Sequence, residues 1–167
     1  MTQASRTSWP AHRHHTVFLN QVAVLIAARH EELVIAETIA SAKVLILTSN
    51  LHVVSDGSTG ATSLIAEAEG VNCLELHPNR GKASAHAAGI GYYALASIYE
   101  GMLLLDADTR LMPDYVKTKL PRFAASDVVA VAGRAKSLPA ADAGNQWVGF
   151  CSHAGSALNS ITQRDRE

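Results

Sequence analysis

An almost wholly apolar run, "GMLLLDADTRLMPDY" at residues 101–115, stops on two aspartates one residue apart, Asp106 and Asp108. Buried carboxylates are costly unless something pairs with them. Along an extended strand, residues i and i+2 point the same way, so both acids can face one side with small Ala107 between them. Two carboxylates that close repel unless a proton or a cation lies between them. An all-oxygen pair suits a hard divalent ion, Mg2+ or Mn2+, whose remaining coordination positions are commonly filled by phosphate oxygens. A bare D-x-D fits strand-end acids solvated in a loop equally well, so its neighbours decide the matter.

Two further stretches keep it company. In "SDGSTGAT" (55–62), Asp56 ends an apolar run, Gly57 permits a tight turn, and Ser58 or Thr59 can cap a following helix. An acid at such a turn can hydrogen-bond a base or a ribose, although an ordinary strand-turn-helix cap reads the same way. In "NRGKASA" (79–85), Gly81 and Lys82 open a helix. A helix N-terminus with a lysine attracts a diphosphate, and it is also a routine helix start. Neither stretch is a P-loop, because Leu76 stands where the first glycine belongs and Ala83 follows the lysine. "GIGYYA" (89–94) matches a dinucleotide fingerprint by letter but lies inside a helical pattern, and no G-x-S-x-G elbow occurs.

The elements that must position these residues alternate. Strands are expected at "QVAVLIAA" (21–28), "LHVVS" (51–55), "NCLELH" (72–77), "GMLLLD" (101–106) and "DVVAVAG" (127–133). Helices are expected over 31–45, over 58–70 with Gly70 as the stop, over the alanine-rich 81–100, and over 141–163. Strand and helix in alternation mean an α/β fold, a mostly parallel sheet flanked by helices. Ligands in such sheets bind beyond the carboxyl ends of the strands. The polar clusters "RHEE", "SDGSTG", "HPNRGK" and "DADT" follow the first four strands, so they gather on one rim.

Composition narrows the classes. With 167 residues, 48% hydrophobic and 17% charged, the chain is long enough for a single cored domain. A formal net charge of -1 gives no bulk attraction to nucleic acid or anionic lipid. The two cysteines, Cys73 and Cys151, form no CxxC pair, which argues against a disulfide framework or thiolate zinc site and fits a reducing, cytoplasmic setting. No apolar run approaches the roughly 18 residues of a membrane helix, which leaves peripheral membrane association open. The N-terminus lacks a secretory h-region. Residues 1–19 read as a flexible tail, and its His12, His14 and His15 as solvated.

Taken in order, "VAVLIAARHEE", "HVVSDGSTGAT", "NRGKASAHAAG", "LLLDADTRLMPDYV" and "VVAVAG" resemble the nucleotide-binding half of glycosyltransferase family 2, an inverting family with the Rossmann-like GT-A fold. The resemblance covers roughly 20–137, with 138–167 left as a helical C-terminal segment. It implies a nucleotide-sugar donor, commonly a UDP-sugar, and a divalent metal, Mg2+ or Mn2+. By resemblance, Glu31 approaches the nucleoside, Asp56 lies near the base, and Lys82 lies near the nucleotide. Asp106 and Asp108 form the D-x-D motif that holds the metal against the diphosphate. The chain departs from the family's usual forms at Ala27-Ala28, His30, Ser55, Gly60 and Ala87.

An inverting transferase also needs a base to deprotonate the acceptor hydroxyl. The family carries that acid well downstream of the D-x-D, in the acceptor half. Here the downstream acids are Asp114, Asp127, Asp142, Asp165 and Glu167, and none occupies a position that marks it as base. The expectation is a donor-binding half whose acceptor half is incomplete. It would act on an unknown glycan, lipid or small-molecule acceptor, with self-association or a partner chain completing the fold. The alternative is a non-catalytic or degenerate nucleotide-binding module. A haloacid-dehalogenase-type phosphatase also ends a strand on D-x-D, but it wants the first strand and a threonine where Arg110 stands.

Overall fold

A computed structural model of the chain describes residues 17–125, 128 and 130–134. Two compact units divide the chain, Met1–Val129 and Ala130–Glu167, and the architecture that follows is that of the first. Among the described residues, four strands, β1 (Val22–Ala28), β2 (Leu51–Asp56), β3 (Asn72–Leu76) and β4 (Gly101–Asp106), form one sheet in the order β3-β2-β1-β4. Every pairing is parallel. Among the described residues, five α-helices accompany them: α1 (Ile35–Lys43), α2 (Thr62–Ala68), α3 (Lys82–Tyr92), α4 (Leu95–Ile98) and α5 (Tyr115–Lys119).

The alternation of side chains across β1 builds two cores. Val22, Val24, Ile26 and Ala28 face one side, against Ile35, Ile39 and Ala42 of α1 and Ala66 of α2. Ala23 and Leu25 face the other, against Val54, Leu76, Ala85 of α3 and Leu95 of α4. A strand covered on both faces reads as an unbroken apolar run, which is what "VAVLIAA" is. Full burial of a Leu25 or Ile26 side chain stabilises by about 1.5–3 kcal/mol. Gly89 lets α3 lie close on the sheet, because a Cβ there would stand 2.7 Å from Val54 Cγ2 and 2.9 Å from Leu25 Cδ1. The first glycine of "GIGYYA" is thus a helix-packing residue inside α3.

The structure departs from the expected elements in four places. The helix expected over 31–45 begins at Ile35, because the chain leaves β1 through His30 at φ 55 and turns at Glu31, whose carbonyl accepts from Val34 and Ile35. Ser58 and Thr59 do not cap α2, whose N-cap is Ala61. The Ser58 hydroxyl instead accepts the His30 N–H, and the Thr59 N–H reaches His30 Nδ1. The helix expected over 81–100 is two, broken at Ala94 with φ 51. The glycine- and tyrosine-rich "GIGYY" has weak helix propensity, and the chain must reverse there to enter β4. Of the expected strand 127–133, Val128 and Ala130–Gly133 carry no strand, while Asp127 and Val129 lie outside the described residues, as does the helix expected over 141–163. Gly70 ends α2 at φ 72, as expected. Among the described residues no helix is long and apolar enough to cross a membrane.

Candidate functional site

The sheet register sets the carboxyl ends of the strands level. Ala27 lies opposite Asp106, Ala28 opposite Ser55, and Asp56 opposite Leu76. The loops beyond them enclose a cleft of about 350 Å3. Its lining comes from Ala27–Arg29 and Glu31 after β1, Asp56 at the end of β2, Asn79, Gly81 and Lys82 after β3, and Asp106–Asp108 after β4. Glu31, Asp56, Lys82, Asp106 and Asp108, far apart in sequence, are therefore neighbours.

Asp56 is buried and hydrogen-bonded throughout. Its Oδ1 accepts the Arg80 N–H at 2.8 Å, and its Oδ2 accepts the Gly81 N–H at 2.8 Å and the Asn79 side-chain amide at 2.7 Å. The same Asn79 amide also donates to the Asp56 carbonyl at 3.0 Å. Gly57 (φ 69) donates its N–H to the Leu76 carbonyl at 2.8 Å. A Cβ on Gly57 would fall 2.7 Å from the Asn79 nitrogen, so the turn after β2 and the loop after β3 are pressed together.

The opposite wall is open. Asp106 and Asp108 are exposed. Lys82, first residue of α3, places its ammonium on Asp106 Oδ1, with side chains 57% and 56% exposed. At that exposure the ion pair is worth about 0–1 kcal/mol and is readily exchanged. Asp108 accepts only a 3.5 Å contact from the Thr109 hydroxyl among the described residues. Burial, then the negative charges of Asp108 and Glu32, push the Glu31 carboxyl above its ordinary value. On the next turn of α3, His86 Nε2 is buried without a partner; burial and the Lys82 charge lower its pKa, and Asp106 opposes them.

Several residues that hold the site were not singled out by sequence. The buried Thr38 hydroxyl of α1 donates to the Ala107 carbonyl at 2.6 Å. The Ser41 hydroxyl accepts the Leu111 N–H at 3.0 Å, and Glu37 pairs with Arg110. The loop carrying the two aspartates is thus fastened to α1. Thr62, first residue of α2, accepts the Glu31 N–H at 3.1 Å and donates to Glu32. A threonine or serine inside an amphipathic helix carries no signal of such a partner, whereas Asn79 was visible within "NRGK" without any sign that it would brace Asp56.

Oxygen donors at Asp106 and Asp108, beside a Glu31 carboxyl disfavoured in its charged form by burial and by the charges of Asp108 and Glu32, fit a hard divalent cation. Among the described residues no group of three or more potential metal ligands converges, so these two acids would hold such a cation only jointly with oxygens of a bound anion. The opening of α3, with the Lys82 ammonium and the unpaired N–H groups of its first turn, is a suitable seat for that anion.

The family model for glycosyl transferase family 2 matches residues 23–148. No curated protein matches the chain. Among solved structures, M. tuberculosis glucosyl-3-phosphoglycerate synthase is similar at 21% identity and TM-score 0.50, over 65% of this chain and 42% of that one. The same synthase in complex with Mn2+, uridine diphosphate and glucosyl-3-phosphoglycerate gives 21% identity and TM-score 0.50, over 65% and 41%. S. aureus TarS gives 21% identity and TM-score 0.44, over 59% and 30%. The chain spans about two fifths of the synthase's length, and at these identities the likeness is one of fold.

Proposed function

The chain belongs to glycosyl transferase family 2, and on that footing we propose that its cleft binds the diphosphate of a nucleotide-sugar, a UDP-sugar above all, together with Mg2+ or Mn2+. The observation that carries the reading is the convergence of two exposed carboxylates, Asp106 and Asp108, with a lysine-headed helix N-terminus in one cleft. The acids answer to a cation and the helix to a diphosphate, and a bound metal diphosphate satisfies both at once. Lys82 would exchange Asp106 for a diphosphate oxygen. Glu31, held at the turn after β1 by Thr62, faces the nucleoside side. The cation, when bound, supplies positive charge against the departing diphosphate. The Mn2+ and uridine diphosphate in the synthase of the same fold support this choice of donor and metal.

Transfer with inversion needs a base for the acceptor hydroxyl. Within the cleft, Asp56 accepts three hydrogen bonds from the chain and Asp106 is paired with Lys82, while on this reading Asp108 would be taken by the cation and Glu31 by the nucleoside. This favours a donor-binding half that is completed elsewhere, whether by further chain, a second copy or a partner. The acceptor, a glycan, lipid or small molecule, would then meet the sugar at that added surface.

Calorimetric titration of UDP with and without Mn2+, for the wild type and Asp108→Ala, tests the reading. Mn2+-dependent binding that disappears in the variant is expected. Absence of UDP binding to the wild type overturns it. UDP binding without turnover of any UDP-sugar would favour the non-catalytic binding module.

A further inference from the structure

We propose that Thr38 of α1 is the positioning residue of Asp108: its hydroxyl fixes the peptide that leads into this aspartate and so aims the second acid of the D-x-D at the cation. The inference rests on the reading of the cleft as a metal-diphosphate site. The two acids are held by different means. Asp106 ends β4 and is fixed by the sheet, in register with Ala27 of β1. Asp108 lies two residues further on, past the last residue of the strand. Among the described residues its carboxylate has only the 3.5 Å contact from the Thr109 hydroxyl. Its direction is therefore set through its backbone.

The peptide group joining Ala107 to Asp108 is planar, so two held points leave it little room to turn. The first is Ala107 itself, buried in the same core as Ile35, Ile39 and Leu105. The second is the Ala107 carbonyl, which accepts the Thr38 hydroxyl at 2.6 Å. The donor is rigid in its turn: Thr38 is 1% exposed, and a β-branched side chain in a helix is restricted at χ1. A threonine inside a helix commonly bonds back to its own preceding turn. Here that alternative, the Val34 carbonyl, lies at 3.4 Å, and the short bond goes to the loop. Ser41 and Glu37 hold Leu111 and Arg110, further along the loop. Thr38 is thus the tie from α1 that falls between the two acids.

Thr38→Val keeps the shape and removes the donor, whereas Thr38→Ser keeps the donor and loses a buried methyl. With UDP present, Mn2+ affinity read by electron paramagnetic resonance should fall about tenfold in Thr38→Val. It should stay near the wild-type value in Thr38→Ser, although that variant unfolds at lower urea. UDP affinity without metal should hold in both. Amide exchange at Thr109, whose N–H donates to the Asp106 carbonyl at 3.0 Å, should quicken in Thr38→Val alone. Undiminished Mn2+ affinity in Thr38→Val overturns the proposal. So does an equal loss in both variants, or a metal-free UDP affinity that falls by the same factor. If the wild type binds neither UDP nor Mn2+, the metal-diphosphate reading fails by itself. Exchange at Thr109 then still decides whether the hydroxyl holds the loop at Asp108, and equal rates in wild type and Thr38→Val overturn it. Should Thr38→Val not fold, Thr38→Ala and Thr38→Ser make the comparison, since both lack the methyl and only the first lacks the oxygen. Weaker Mn2+ binding by Thr38→Ala is expected, and equal binding overturns the proposal.

Discussion

The two walls of the cleft are built from the same residue type to opposite ends. On the β2–β3 side, Asp56 is buried and every donor around it belongs to the chain. On the β4 side, Asp106 and Asp108 stand exposed, one against a single lysine and the other nearly without a partner. A carboxylate that accepts three hydrogen bonds from its own chain holds structure, since removing it orphans donors. A carboxylate left in water beside other acids gives the fold little and waits for a positive charge. The contrast separates an acid held within the frame of the cleft from acids left exposed at its mouth.

Stability should break the two walls apart most plainly. Asp56→Ala leaves the Arg80 and Gly81 amides without an acceptor and the Asn79 amide with the residue-56 carbonyl alone, and should cost about 3 kcal/mol in urea unfolding. Asp108→Ala should stay within about 0.5 kcal/mol of wild type. Equal costs at the two positions would erase the distinction. A smaller effect sits between the walls. Lys82→Met removes the charge resting on Asp106, so Mn2+ alone should bind about two- to fivefold tighter by electron paramagnetic resonance, while UDP with Mn2+ binds more weakly. Tighter binding of neither, or of both, would show that Lys82 does not mediate between the walls.

The smallest effect is one of pH. Burial, Asp108 and Glu32 raise the Glu31 carboxyl in the folded protein above its ordinary 4.5. The folded state therefore holds this proton more tightly than the unfolded state does. The Glu31 contribution to stability is full below the unfolded value and is lost as pH rises through the folded one. Measured by urea midpoint, Glu31→Gln should gain on the wild type as pH rises from about 4 and level off once Glu31 is ionised. A difference that stays flat across that window would mean that Glu31 and Asp108 do not sense each other.

Much of this was legible in the sequence, and the reasons are physical. The four parallel strands were readable because β1 is covered on both faces and the polar clusters all follow strand ends. The four acids and the lysine of the cleft were readable as neighbours because the topology of a parallel sheet gathers strand ends by itself. What sequence did not carry was the direction of the hydrogen bonds. Ser58 has the chemistry of a helix cap and is spent on His30. Asp56, expected beside a ligand, lines the cleft and also accepts three hydrogen bonds from the loop after β3. Thr38 has no pattern to mark it, because its partner, the Ala107 carbonyl, lies on the loop after β4. The break at Ala94 was hidden for a similar reason, since the letters of 81–100 suit one helix and the need to reverse into β4 is imposed by the sheet.

The ties around the rim follow the order of the strands. Asn79, after β3, is fastened to Asp56 of β2; Ser58 and Thr62, after β2, to His30 and Glu31 after β1; and Thr38, on the helix that follows β1, to Ala107 after β4. Lys82, back on the β3 side, reaches across to Asp106. Mechanically this is a hoop with one clasp. Three of its joints hold the strand-end loops by neutral or buried hydrogen bonds, and the fourth is a solvent-washed ion pair. A ligand that offers Lys82 an anion and Asp106 a cation opens the hoop at its weakest joint and takes the place of the clasp, while the other three keep the frame at its gauge.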